Sequence, residues 1–139
     1  MKGLDSLIRL HRWQLDEKRR HLVELERLTQ HLAARIRDLD VEIRNEQQVA
    51  GSSTEAAMTY GDYVQATIGR RGKLDASLAE LQSQRVVAKE EVAEAYRELK
   101  KYELVKARNQ RLANKRRQHQ EQQVMDEVAL NQFRRRNDG

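Results

Sequence analysis

The chain of 139 residues contains no cysteine and no proline, and aromatic residues make up only 4% of it. Without cysteine it cannot form a disulfide framework, a zinc ribbon, a cysteine-linked haem or a thiol nucleophile. Leucine, isoleucine, valine and phenylalanine number 31 in all, too few for the near-continuous apolar strands of a layered α/β core. We expect no cofactor.

Long apolar runs are also missing. No stretch approaches the 18 apolar residues that a membrane-spanning helix needs. Asp5, Arg9 and Arg12 interrupt the region where a signal peptide would be apolar, and the absence of cysteine fits a reducing cytoplasm. The net charge of +5 favours acidic proteins, nucleic acid or an anionic membrane surface as partners, without choosing among them.

Alanine, glutamate, lysine, leucine and arginine are abundant, with 71 residues together, which is typical of a long helix or coiled coil. A 4-3-4-3 spacing of apolar residues begins at Leu4 and predicts one helix over residues 4–48, with a stripe that faces a partner helix. The a-type positions of this series are Ile8, Leu15, Leu22, Thr29, Ile36, Ile43 and Ala50, and the d-type positions are Leu4, His11, Lys18, Leu25, Leu32, Leu39 and Glu46.

The only convincing break lies at about residues 49–55. Gly51 is suited to the left-handed conformation that ends many helices, and Ser52 with Glu55 forms a capping-box pattern for the next helix. A second heptad series predicts a helix over about residues 56–135, which ends in a basic tail. Glycines within residues 61–72 weaken helix and predict a kink, fraying or a separate segment there.

Two helices joined by so short a break pack antiparallel. The fold class is therefore all-α, a single antiparallel two-helix coiled-coil hairpin over residues 1–139 whose longer second helix overhangs the first. Pairing about residue 53 sets Ile8 near Leu99, and Leu25 near Leu81. The overhang is roughly 30 residues, or on the order of 50 Å.

An enzyme is not expected, and neither is a small-molecule substrate or a metal. The segment from Gly69 to Lys73 lacks the glycine spacing and the Ser or Thr of a phosphate-binding loop. The histidines have no metal-ligand spacing. His11 lies at a d-type position of the apolar stripe, the seam between the two helices, where a polar residue sets their register. A two-helix hairpin also encloses no pocket in which a catalytic pKa could be shifted.

Three features point to protein partners. Trp13 occupies an outward position near one end, where it serves either as a contact residue or only as a neighbour of Leu10. Residues 97–117 are strongly basic, and a helix that is polar all round is marginal in water unless a partner surrounds it. Val124, Met125 and Val128 share one helical face and form either a docking patch or a small internal contact.

Four stretches of the chain resemble the flagellar type III export protein FliJ family in its alphaproteobacterial form. They are Leu7-Ile8-Arg9-Leu10 with Asp16-Glu17-Lys18-Arg19-Arg20, then Tyr60 and Tyr63 followed by Arg70-Arg71, then Glu98-Leu99-Lys100-Lys101 with Glu103-Leu104, and finally Met125-Asp126-Glu127 with Ala129-Leu130. Together, in this order and spacing, they cover essentially the whole chain.

The resemblance implies a non-enzymatic stalk of the flagellar export apparatus. Such a stalk enters the hexameric export ATPase, promotes its activity, and couples it to the membrane export gate and to export chaperones. It is cytoplasmic and peripherally associated with the inner membrane at the flagellar base, and it supports motility.

Two contact sites follow as hypotheses. The tip that meets the ATPase ring comprises Leu7, Arg9, Trp13, Arg108, Arg111, Arg116 and Arg117. At the opposite end, Tyr60 and Tyr63 meet the gate or a chaperone, because aromatic residues beside a loop are typical contact residues.

Other readings stay open at this point. A basic coiled coil that binds nucleic acid is the main rival, although a basic zipper places its basic region before the heptads, whereas here the basic block follows them. We therefore expect no nucleic-acid partner. A generic structural spacer, a homodimer and the equivalent stalk of a virulence-type secretion system fit the same pattern.

Overall fold

A computed structural model describes residues 2–138, and they form two long helices and no strand. Helix α1 runs Lys2–Ala50 and helix α2 runs Thr54–Asp138. The helices pack against each other as a hairpin, and α2 is much the longer of the two. The all-α antiparallel fold predicted from the heptads is confirmed.

The chain divides into two compact units. Among the described residues, the first contains 2–12 of α1 and 97–138 of α2, and the second contains 13–96. In the second unit Glu26 of α1 meets Arg85 of α2, and Asp40 meets Arg71. Residue numbers therefore fall along one helix as they rise along the other, which makes the pair antiparallel.

The predicted seam is the buried side of both helices. In α1 the buried residues are Ile8, Leu15, Leu25, Ile36 and Leu39, all of them predicted a-type or d-type residues. In α2 they are Thr67, Ala88 and Leu99. The Thr67 hydroxyl is fully buried and donates to the Tyr63 carbonyl oxygen at 2.7 Å, so its polarity is satisfied within its own helix.

Charged residues at seam positions reach outward to partners on the facing helix. Arg71 Nε lies 2.7 Å from Asp40 Oδ1, and its Nη2 lies 3.1 Å from Oδ2. Lys18, a d-type residue of α1, is exposed and lies 3.1 Å from Glu91. Such polar groups within an apolar seam fix the register of the two helices at some cost in stability.

The register differs from the predicted one by about one helical turn. Pairing about residue 53 set Leu25 near Leu81, but the neighbouring Glu26 meets Arg85. In the first unit, Asp5 likewise meets Lys106. The heptads place an apolar stripe on each helix, but they do not set the point about which the two helices pair. At the turn, the last residues of α1 and the first turns of α2 line one crevice, from Val49 and Ala50 to Ala56 and Tyr60.

The turn itself uses different caps from those predicted. Among the described residues no glycine has a positive φ, so Gly51 does not end α1 in the left-handed conformation. Ser53, not Ser52, caps α2, because its Oγ accepts from the Ala56 amide at 3.0 Å. Ser52 instead donates from its Oγ to the Val49 carbonyl. Glu55 lies in the first turn of α2, where its charge favours the helix N-terminus.

Candidate partner-binding surfaces

The first unit contains a part where α1 packs on α2 and a further part of α2 that α1 does not cover. In the packed part, Ile8 and Leu99 are buried, and the ring of His11 stacks on that of Tyr102 with centroids 4.7 Å apart. Lys106 Nζ forms an ion pair with Asp5 Oδ1 at 2.9 Å. From residue 111 to residue 138 every side chain of α2 is exposed.

The charged residues in one stretch of α2 are all of one sign. Residues 104–120 contain six lysines and arginines and no aspartate or glutamate. Lys106 is engaged by Asp5, and Arg117 lies 4.0 Å from Glu121 of its own helix. The other four basic residues of the segment, Arg108, Arg111, Lys115 and Arg116, make no ion pair within residues 2–138. They are free to meet the negative charges of a partner.

Six of the seven residues expected at the ATPase-binding tip belong to this unit. Arg108, Arg111, Arg116 and Arg117 lie in the exposed part of α2, and Leu7 and Arg9 lie exposed on α1. The seventh, Trp13, belongs to the second unit, and 59% of its surface is exposed. Sequence reasoning thus chose accessible side chains in all seven cases.

The apolar group near the end of α2 is also exposed. Val124, Met125 and Val128 have between 50% and 67% of their surface accessible. Leu130 and Phe133, which are exposed too, lie toward other sides of the helix by its periodicity. No internal contact therefore buries these side chains, which leaves them available to a partner.

A shallow crevice lies beside the turn, within the second unit. Its volume is about 270 Å³, and Val49, Ala50, Tyr60 and Tyr63 are among the residues that line it. Both tyrosines are half-buried. Burial of the Tyr63 hydroxyl and the nearby Glu42 carboxylate raise the pKa of that hydroxyl, because both oppose its ionisation.

Several accessible apolar residues escaped the sequence analysis. Met58 beside the turn is 75% exposed, and Leu104, Val105 and Leu112 are exposed within the basic part of α2. Their signal was present, since none of the four lies at an a-type or d-type position of the second heptad series. An aliphatic residue at such a position marks a candidate contact.

Two features are absent from the part of the chain that the structure describes, a cluster of metal ligands and a membrane-spanning helix. Across residues 2–138, no group of histidine and carboxylate side chains is arranged to hold a metal ion. Over the same range, neither helix contains a stretch long and apolar enough to cross a bilayer.

A family model described as "Flagellar FliJ protein" matches residues 1–138. The chain belongs to the FliJ family. No curated protein and no solved structure matches it. The FliJ family is a non-catalytic component of the flagellar export apparatus, and the resemblance noted in the four sequence stretches is confirmed.

Proposed function

We propose that this FliJ-family chain is the stalk that enters the hexameric flagellar export ATPase, promotes its activity, and couples it to the export gate and to export chaperones. The observation that carries the proposal is the uncovered end of α2, residues 111–138, which is helical and exposed on every side. A lone helix of this kind gains stability when a partner surrounds it.

The charge of the segment suits a ring with an acidic lining. Arg108, Arg111 and Arg116 make no ion pair within residues 2–138, so a partner does not have to break an internal contact to engage them. Opposite charge on the two surfaces would speed encounter and fix orientation.

The remaining contacts are assigned by their exposure and position. Leu7, Arg9 and Trp13 complete the proposed ATPase contact. Tyr60 and Tyr63 border the crevice at the turn and are proposed to meet the gate or a chaperone. Val124, Met125 and Val128 form a proposed docking patch. These partners would place the protein in the cytoplasm, peripherally at the inner membrane of the flagellar base.

The test measures ATP hydrolysis by the purified export ATPase at increasing concentrations of the full chain. The variant R108Q/R111Q/R116Q/R117Q removes four charges from the proposed contact. We expect the concentration for half-maximal stimulation to rise about tenfold or more, because rim and interface charges of this kind speed encounter.

A matched control removes four exposed basic residues from the second unit, in the variant R35Q/R37Q/R70Q/K89Q. It should stimulate the ATPase as the native chain does. Equal stimulation by both variants would reject the proposed contact and favour a generic spacer.

A further inference from the structure

The outward side of α2 in the first unit combines basic and aliphatic residues. Leu104, Arg108 and Leu112 follow each other at intervals of four, so they share one face of the helix. Lys101 and Lys115 flank them on the same side, away from the buried Leu99. We define these five residues as the outer stripe.

We propose that the outer stripe binds the surface of a membrane that contains anionic phospholipids, with α2 lying along the headgroups. This inference goes beyond the proposed function and does not depend on contact with the ATPase. Lys101, Arg108 and Lys115 make no ion pair within residues 2–138. No carboxylate occurs anywhere between Glu103 and Glu121 to repel a negative surface.

The aliphatic residues favour a membrane over nucleic acid. Leu104 is 67% exposed, and Leu112 and Val105 are 42% and 43% exposed. The phosphate backbone of a nucleic acid attracts positive charge, but it has no apolar region in which an exposed leucine could be buried. At a bilayer surface, leucine can enter the boundary between headgroups and acyl chains, while the stems of lysine and arginine extend along that boundary.

The composition of the segment also argues against single-stranded nucleic acid. Residues 104–120 contain no Phe, Tyr or Trp, so they offer no aromatic side chain on which bases could stack. Tyr102 lies just before the segment, and its ring is engaged by His11. The five residues of the outer stripe instead lie along one face of a single helix, an arrangement suited to the surface of a membrane.

The experiment is cosedimentation of the full-length chain with phosphatidylcholine vesicles, with and without phosphatidylglycerol. We expect binding to the vesicles that contain phosphatidylglycerol, weaker binding as salt rises, and little binding to phosphatidylcholine alone. Each basic residue near such a surface contributes about fivefold in affinity. The variant K101Q/R108Q/K115Q should therefore bind about a hundredfold more weakly.

The leucines separate a membrane from the other anionic partners. The variant L104Q/L112Q keeps every charge and should weaken vesicle binding by about tenfold. Both leucines are exposed, so the fold should persist, which circular dichroism checks. Leu104 lies outside the proposed ATPase contact and outside residues 111–138, so the single variant L104Q should stimulate the ATPase normally even where vesicle binding is weakened.

Two matched controls and one competitor complete the design. The variants R35Q/R37Q/K89Q and V86Q/V87Q remove the same numbers of charges and exposed aliphatic residues from the second unit, and they should bind within twofold of the native chain. A short random DNA duplex is titrated at the same salt. Equal binding to neutral vesicles, unchanged binding of L104Q/L112Q, or DNA binding tighter than vesicle binding would each overturn the inference.

Discussion

Asp5 and Lys106 form an ion pair between the two helices of the first unit. Lys106 Nζ lies 2.9 Å from Asp5 Oδ1, and both side chains are partly exposed. The hydrogen bond and the charge of Lys106 lower the pKa of Asp5 below its ordinary value. The pKa of Asp5 therefore indicates whether residues 2–12 are packed on α2.

Lys106→Met should return the pKa of Asp5 toward its ordinary value of about 3.9. A carboxyl group whose pKa is lower in the folded than in the unfolded chain stabilises the fold above that ordinary value. The contribution disappears as the pH falls from about 3.9 through the lowered value. Carbon-13 NMR of the Asp5 carboxyl, followed across this pH range, measures the shift.

Lys101→Met is the control for this titration. Lys101 is exposed and lies over the ring of Tyr102, so its removal should leave the Asp5 titration curve in place. If Asp5 titrates identically in the native chain and in Lys106→Met, the ion pair does not form in solution.

Side-chain burial was the most predictable property at the residue level. Ile8, Leu15 and Leu25 are buried as the heptads require, because a repeat of 3.5 residues selects one face of a helix. The pairing of Arg71 with Asp40 could not be read in the same way. A heptad assigns a residue to a face, but it does not identify its neighbour on the other helix.

Helix α2 continues without a break through Gly61, Gly69 and Gly72. A β-carbon at any of the three would meet no atom within 4 Å, so close packing does not require glycine there. The contacts of Thr67 and Arg71 hold this stretch in helix despite its low intrinsic propensity.

Gly69→Ala and Gly72→Ala should each raise the free energy of unfolding by about 1 kcal/mol, since alanine loses less backbone entropy in a helix. Urea unfolding followed by circular dichroism measures the change. Gly51→Ala is the control outside the helices, because its β-carbon would make only an ordinary contact, at 3.5 Å from the Gln48 carbonyl oxygen. A loss of stability in the two helix variants would mean that α2 is bent or open at the glycines in solution.

Element boundaries were predicted to within a few residues, but the path between the elements was not. The break at Gly51 correctly separates the two helices. The choice of Ser53 over Ser52 as the cap follows from three-dimensional geometry, because both serines suit that role in sequence. The one-turn change of register has the same origin, in a connection whose course no local pattern encodes.

For the molecule as a whole, composition located the candidate surfaces better than it identified their partners. The run from residue 104 to residue 120 without a carboxylate is visible in the sequence, and its exposure in the structure leaves it available for binding. The partner was not predictable from charge alone, since an acidic protein, a phosphate backbone and an anionic membrane all attract it. The family match favours a protein of the export apparatus as one partner, and the exposed aliphatic residues favour a membrane over a phosphate backbone as another.

Deleting residues 114–139 should leave the free energy of unfolding within about 0.5 kcal/mol of its native value, as for exposed positions that make no core contact. Every described side chain in this segment is exposed, and the segment's hydrogen bonds and ion pair join residues of the segment to one another. Leu99→Ala is the matched comparison, because Leu99 is buried and its truncation should cost about 2–5 kcal/mol. Urea unfolding of both proteins measures the difference. A deletion that destabilised the chain as much as Leu99→Ala does would show that the end of α2 stabilises the fold, and would remove the basis for regarding it as a helix reserved for a partner.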